Sequence, residues 1–236
     1  MKFSTCQFTD PGGRSPNEDS VDFFNNGDFY AWITADGLGG HINGEIASSE
    51  AVKALGKALS ACEKMDQDFV EEAFKQMNTA VSELDGPLST AVCAFSDGKK
   101  LWYGNSGDSR FFFIRNKEVI LHSHDHSLAY IAYRTGAINY EDIPNNPGQS
   151  RLFHSLGNEP DFNGEFYDPV DLEAGDAFLL CSDGFWELIK DEEIIRTRNI
   201  APTAQEWLSL MLEIVQQRLQ KTSDNYSAVC AIVTED

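Results

Sequence analysis

A β-strand that ends in an acidic turn constrains this chain more than any other part of its sequence. Residues Phe29 to Ala35 place alternate side chains on two faces, which is the two-residue period of a strand. Asp36 and Gly37 follow at once, with two further glycines at positions 39 and 40. A carboxylate at a strand end is held rigidly, and glycine lets the backbone approach a ligand without a Cβ atom in the way. Because Asp-Gly is also a common turn dipeptide, this pair alone does not separate a ligand site from an ordinary turn.

Length and charge narrow the class of protein. The 236 residues suffice for one large domain, and no linker, repeat or low-complexity tract divides them, so we expect a single domain over 1–236. Lys and Arg number 18 against 38 Asp and Glu, which gives a formal net charge of −20. Such a surface repels nucleic acid and anionic membrane, and it favours cations or basic partners. A protein this acidic that binds phosphate needs local positive charge, which divalent metals would supply.

The cysteines and the amino-terminal residues predict a cytoplasmic protein with no membrane association. The five cysteines are scattered and form no Cys-x-x-Cys pair, which argues against a disulfide framework or a zinc-cysteine site. The apolar runs are too short to cross a bilayer, and the first ten residues lack the apolar core of a signal peptide.

The spacing of apolar residues predicts strands covered by helices. We expect strands at residues 3–9, 20–24, 29–35, 90–95, 101–105, 111–114, 119–122, 177–182 and 227–233. We expect helices at residues 43 to about 61, about 68 to 84, around 128–135 and about 203 to 220. Turn-rich connections join the four strands between 90 and 122, which favours an antiparallel meander. Together these elements indicate a β-sandwich with helices on its outer faces.

Four acidic residues occupy one kind of position, at a strand end or in the tight loop beside it: Asp36, Asp108, Asp183 and Asp224. If the strands lie side by side, these ends can converge on one edge. Carboxylate oxygens suit Mg²⁺ or Mn²⁺ better than zinc. Two such ions bridged by one carboxylate can activate a water and stabilise an in-line displacement at phosphorus. Arg14 would bind the non-bridging phosphate oxygens with its planar guanidinium.

Five short motifs occur in a fixed order along the chain. They are Arg14-x-x-Asn17-Glu18-Asp19, Asp36-Gly37-x-Gly39-Gly40-His41, Gly107-Asp108-Ser109-Arg110, Ser182-Asp183-Gly184 and Asp224-Asn225. Each is weak evidence by itself. In this order they resemble the motif set of the PP2C (PPM) family, the metal-dependent serine/threonine protein phosphatases, and most closely its small bacterial members. The resemblance extends over residues 3–234.

The resemblance implies an α+β fold, a four-layer α-β-β-α sandwich in which helix pairs flank two antiparallel sheets. It also implies a centre of two Mn²⁺ or Mg²⁺ ions at one end of that sandwich. In the family pattern Asp36 bridges the ions and the Gly37 carbonyl ligates one of them. Asp183 and Asp224 would hold the other, and Asp19 would bind a metal through water.

Further roles follow from the same resemblance. Asp108 with Asp183 would form a third, weaker metal site, and residues 125–165 would be a variable flap governing substrate access. Arg14 would hold the substrate phosphate. His41 is a candidate for protonating the leaving alkoxide, because animal members carry a histidine directly after Asp-Gly, where this chain has Leu38.

The activity implied is hydrolysis of phosphoserine and phosphothreonine in proteins by direct attack of a metal-bound hydroxide, without a phosphoenzyme. The expected partners are phosphorylated proteins and a bacterial Ser/Thr kinase whose effects the enzyme reverses, and we expect a monomer.

Two alternatives stay open. One is a catalytically silent module that binds a kinase or regulator, which the complete acidic set argues against. The other is a different carboxylate-metal hydrolase, such as a nuclease or a small-molecule phosphomonoesterase; the charge of −20 opposes only the nuclease.

Overall fold

The computed structural model describes residues 1–38, 43–84, 86–157 and 164–235. Gly39, Gly40 and His41 therefore lie outside the described residues. The strands are β1 (Lys2–Asp10), β2 (Asp19–Asn25), β3 (Tyr30–Asp36), β4 (Ala91–Ser96), β5 (Lys100–Ser106), β6 (Arg110–Arg115), β7 (Glu118–His122), β8 (Glu165–Asp171), β9 (Ala177–Cys181) and β10 (Tyr226–Thr234). The helices are α1 (Gly44–Ser60), α2 (Gln67–Ser82), α3 (Leu128–Arg134), α4 (Asp183–Trp186), α5 (Asp191–Ile200) and α6 (Ala204–Arg218), with a 3₁₀ helix over Tyr140–Asn145.

In these described ranges the strands form two antiparallel sheets of five. The first sheet has the order β1-β10-β9-β6-β7 and the second has the order β2-β3-β4-β5-β8. The helices α1 and α2 pack on the outer face of the second sheet, and α4, α5 and α6 pack on the outer face of the first. The predicted four-layer α-β-β-α sandwich is confirmed.

The two-faced burial of β6 shows how the sequence specifies these layers. Phe111 and Phe113 point between the sheets, into a core that also holds Trp32 and Phe178. Phe112 points the other way, into the core under α6. An unbroken run of aromatic residues is therefore what a strand needs when both of its faces are covered.

The predicted meander of four strands is wrong. The strands β4 and β5 pair in the second sheet, whereas β6 and β7 pair in the first. The chain crosses between the sheets at Gly107, where φ is +104° and a Cβ atom would lie 2.6 Å from the Thr90 Cβ. Because β6 is buried on both faces, its period identified a strand but not the sheet that it joins. The strand β8 and the helix α5 were not predicted.

Helix starts follow ordinary capping chemistry. The Asp66 carboxylate accepts from the backbone N–H of Phe69 at 3.0 Å at the start of α2. The Thr203 hydroxyl accepts from the N–H of Glu206 at 3.2 Å at the start of α6. None of the helices in the described ranges is long and apolar enough to span a lipid bilayer.

Candidate metal centre and substrate cleft

The two sheets bring the predicted acidic residues to one end of the sandwich. Asp19 is the first residue of β2 and Asp36 the last of β3, and the antiparallel register places them directly opposite each other. Asp183 begins α4 just after β9, and Asp224 shortly precedes the neighbouring strand β10. Asp108 lies in the crossing between β5 and β6. Residues far apart in the chain thus meet because their strands end at the same edge.

Burial and mutual repulsion raise the pKa values of these carboxyl groups. Burial raises the pKa of Asp36 well above its usual value, and the charges of Asp19, Asp183, Asp108 and Asp224 raise it further. Burial also raises the pKa of Asp19 to about 7, although hydroxyl groups that bond to its carboxylate oppose that change. The pKa of Asp108 is raised by burial and then by the charge of Asp183. The fold therefore concentrates negative charge where little water can screen it.

Two buried carboxylate oxygens show that this donor set fits a divalent cation. Among the described residues, neither Asp19 Oδ1 nor Asp183 Oδ1 has a hydrogen-bond partner. The other Asp19 oxygen accepts from the Ser182 hydroxyl at 2.7 Å. A buried carboxylate oxygen without a partner is costly, and a cation satisfies it. The donors are hard oxygens, which Mg²⁺ and Mn²⁺ prefer.

The carboxylates are not drawn together into a closed ligand set. In the part of the chain that the structure describes, no group of three or more His, Cys, Asp or Glu side chains is arranged to hold an ion. Two other side chains engage the acids instead. Arg14 Nη2 lies 2.8 Å from Asp224 Oδ2, and Gln149 Nε2 donates to Asp108 Oδ2 at 3.0 Å and to Asp183 Oδ2 at 3.1 Å. A bound cation would have to displace some of these contacts.

The backbone around Asp36 is held firmly. Its N–H donates to the Thr90 hydroxyl at 3.0 Å, and its carbonyl accepts from the Thr90 N–H at 2.7 Å and from the Ser89 hydroxyl at 3.0 Å. At Gly37 a Cβ atom would lie 2.1 Å from the carbonyl oxygen of Gly44, so only glycine fits. The predicted metal-ligand role of the Gly37 carbonyl remains a prediction.

A buried aromatic and ionic cluster positions Asp108. The Trp186 indole N–H donates to the Asp108 carbonyl at 2.9 Å. The Arg110 guanidinium lies over the Trp186 ring at 3.5 Å and makes two hydrogen bonds, of 2.8 and 2.7 Å, to the carboxylate of Asp125. Arg110 thus has a structural role in the Gly-Asp-Ser-Arg motif, anchoring the loop that presents Asp108.

A cleft of about 600 Å³ opens over the acidic residues. Arg14, half exposed, lies on its wall together with Asp36, Asp108, Asp183 and Asp224. The Arg14 guanidinium pairs with Asp224 here, and its predicted phosphate-binding role stays a prediction. His41, the candidate acid, lies outside the described residues.

The segment predicted to be a flap supplies part of the cleft wall. Residues 125–157 include α3 and the 3₁₀ helix, and Ser150, Arg151, Leu152 and Ser155 line the cleft. The sequence pattern did not single out Arg151 or Gln149. The only signal was the Pro/Asn/Gly-rich stretch at 144–148 just before them.

Glu187 is a further acidic residue that the sequence interpretation missed. Burial raises its pKa to about 8, and the charges of Asp183 and Asp224 add to that rise. Its position four residues after Asp183 places it one helical turn away, and that spacing is the signal that could have found it.

The histidine tract at 122–126, which resembles a transition-metal motif, binds protein groups instead. His124 Nδ1 lies 2.8 Å from Glu165 Oε1. His126 Nδ1 accepts from the Gly107 N–H at 3.2 Å, and His122 Nδ1 lies 2.8 Å from the Ser123 carbonyl.

Comparison with known proteins connects this geometry to a family. The family described as "Protein phosphatase 2C" matches residues 12–223. The serine/threonine phosphatase stp of Listeria innocua is 34% identical over 202 residues, which cover 79% of this chain and 80% of that protein. The crystal structure of Stp1 from Staphylococcus aureus aligns with a TM-score of 0.89 at 26% identity, covering 100% of this chain and 96% of the other. The catalytic domain of PstP in complex with two manganese ions aligns with a TM-score of 0.81 at 27% identity, covering 99% of each chain.

Divalent cations should stabilise the protein more at high pH than at low pH. The pKa values of these acids are raised in the folded protein, so the acids keep protons there that the unfolded chain releases near pH 4. Their contribution to the free energy of unfolding is fully present below pH 4. This contribution is lost as the pH rises through the folded-state pKa values, of which that of Asp19 is about 7. Because cations replace these protons, the rise in Tm on adding Mn²⁺ should be larger at pH 8 than at pH 5. Thermal melts of chelated and Mn²⁺-loaded protein measure this.

Two variants control that experiment. Asp36→Asn should lose most of the Mn²⁺-dependent rise in Tm, whereas Asp28→Asn, at an exposed loop position, should keep it. An equal rise at both pH values, or an unchanged rise in Asp36→Asn, would contradict the assignment of the cation to this cluster.

Proposed function

Because this chain belongs to the protein phosphatase 2C family, we propose that it is a metal-dependent enzyme that hydrolyses phosphoserine and phosphothreonine in proteins. The observation that carries this proposal is the gathering of Asp19, Asp36, Asp108 and Asp183 at one end of the sandwich, beside an arginine-lined cleft. Relatives that align over most of this chain are named serine/threonine phosphatases, which supports the reaction class.

The acidic residues would hold two Mn²⁺ or Mg²⁺ ions, with a third, weaker site at Asp108 and Asp183. Asp36, Asp183 and Asp224 would be the principal ligands, with the Gly37 carbonyl beside Asp36. When bound, such ions supply the positive charge that activates a water and neutralises phosphoryl oxygens. The bound manganese in the aligned PstP structure supports this assignment.

The chain's own residues prepare the site for that chemistry. Three hydrogen bonds with Thr90 and Ser89 fix the backbone of Asp36, so the point from which its side chain extends needs little reorganisation. The Ser182 hydroxyl fixes one oxygen of Asp19, and the other has no hydrogen-bond partner among the described residues. Arg14 would exchange its contact with Asp224 for the phosphoryl oxygens, which its planar guanidinium can bind in pairs.

The substrate would be a phosphorylated protein segment, and the partner in signalling a Ser/Thr kinase whose products this enzyme dephosphorylates. We propose that the enzyme acts as a monomer. The flap, residues 125–165, would govern which phosphorylated segments reach the cleft. Four of its residues already line the cleft wall: Ser150, Arg151, Leu152 and Ser155.

Replacing Asp36 or Asp183 by asparagine should remove nearly all turnover of a phosphothreonine peptide and of p-nitrophenyl phosphate. The loss should exceed about 100-fold, because removing a residue that only supports a metal ligand already costs about 10–100-fold. Asp28→Asn should keep full activity, and circular dichroism checks that every variant folds. Activity that persists in chelator would contradict metal dependence. Absence of turnover with any divalent ion would favour the silent binding module, and turnover of small phosphate esters alone would favour a phosphomonoesterase.

Arg14→Ala should raise the KM for phosphopeptide about tenfold, the size of one lost hydrogen bond to a charged group. The kcat should change little, because Arg14 binds the phosphate in the ground state as well as in the transition state. Arg14→Lys keeps the charge but loses the planar pair of donors. Its KM should therefore lie between those of the wild type and Arg14→Ala. A loss confined to kcat would contradict this role.

We further propose that His41 protonates the leaving alkoxide, since imidazole titrates near neutral pH. His41→Gln should then lower turnover of phosphothreonine peptide much more than that of p-nitrophenyl phosphate, whose leaving group departs without a proton. Equal losses on both substrates in steady-state assays would assign the proton to another group.

A further inference from the structure

The carboxamide of Gln149 lies between the two acids expected to form the weaker metal site. Its Nε2 donates to Asp108 Oδ2 at 3.0 Å and to Asp183 Oδ2 at 3.1 Å. An amide nitrogen carries two hydrogens, so each carboxylate can receive one of them. The Gln149 side chain is well buried, with 8% of the residue exposed, so water competes little for these bonds.

The backbone holds Gln149 in this position. The Gln149 N–H donates to the Asn146 carbonyl at 2.9 Å, and the Gly148 N–H donates to the Asn146 side-chain oxygen at 2.8 Å. The Gly148 carbonyl in turn accepts from the N–H of Ala129 at 3.1 Å, at the start of α3. The glutamine thus connects the flap directly to two acids of the cluster.

A neutral amide satisfies oxygens without cancelling charge. Asp183 keeps Oδ1 without a hydrogen-bond partner among the described residues, while Gln149 binds its Oδ2. A cation shared by Asp108 Oδ2 and Asp183 Oδ2 would occupy the position that Gln149 Nε2 now holds, 3.0 Å and 3.1 Å from these two oxygens. The amide and the cation are therefore competitors for the same pair of acids.

We propose that Gln149 is a positioning residue that ties the flap to Asp108 and Asp183, and that its amide competes with a divalent cation for this pair. Binding of a cation to Asp108 and Asp183 releases the Gln149 side chain. Because the hydrogen bonds of Gln149 must break first, the glutamine lowers the affinity of this site for the cation. Residues 150–152, which follow Gln149 directly and line the cleft, are thereby coupled to the occupancy of the pair. This inference rests on the proposed metal-dependent function.

Isothermal titration with Mn²⁺ tests the competition without using activity. The weaker class of sites is identified as the class that Asp108→Asn removes. Gln149→Leu keeps the side-chain volume but cannot donate, so the weaker class should bind Mn²⁺ about tenfold more tightly, as when one hydrogen bond to a charged group need not be broken. Gln76→Leu is the matched control. Its amide also donates to a carboxylate, that of Glu72 at 3.2 Å, but on the exposed face of α2, so its titration should match the wild type.

A second measurement uses the unaltered protein, in case the variant fails to fold. In the cation-free wild type, the Gln149 side-chain NH₂ signals should be shifted and protected from solvent exchange in ¹⁵N-resolved NMR. Added Mg²⁺ should move them toward the positions of an exposed glutamine. Signals that stay fixed while Mg²⁺ fills the site would overturn the proposal, as would an unchanged or weaker affinity in Gln149→Leu. If the wild type bound no Mn²⁺ or Mg²⁺ at all, the proposed function would fail together with this inference.

Discussion

Repulsion between buried carboxylates is the constraint on which the rest of this structure depends. The charges of four other acids raise the pKa of Asp36, in addition to the effect of burial. Such an arrangement is unfavourable by itself, so each acid needs a compensating contact. The Ser182 hydroxyl provides one for Asp19, the Arg14 guanidinium for Asp224, and the Gln149 amide for Asp108 and Asp183. These contacts hold the acids in place, and among the described residues the buried oxygens Asp19 Oδ1 and Asp183 Oδ1 have no hydrogen-bond partner.

The sandwich makes this gathering possible because the site draws on both sheets. Asp19 and Asp36 come from the second sheet, whereas Asp183 and Asp224 flank two neighbouring strands of the first. The relative position of the sheets is set by the core between them, where the rings of Trp32 and Phe178 meet edge to face at 4.8 Å. Packing at the centre therefore determines distances at the edge, so the positions of these acids depend on a rigid interior.

The sequence was informative where a chemically distinctive residue follows a recognisable strand. It was less informative where the position of a residue or strand depends on tertiary contacts. Asp36 was identifiable because a predicted strand ends in Asp-Gly, and the structure places it opposite Asp19 in the register with β2. The sheet that β6 joins was not identifiable from the sequence, because a strand buried on both faces has no polar face that would indicate its orientation. Gln149 was missed for a related reason: a lone glutamine in an irregular segment acquires meaning only when the fold places it against two acids.

The most direct test of this account is anomalous diffraction at the manganese edge from a crystal grown in Mn²⁺. We predict anomalous peaks within coordination distance of Asp36, Asp183 and Asp224. Strong peaks elsewhere on this acidic surface, with none between these three side chains, would contradict it.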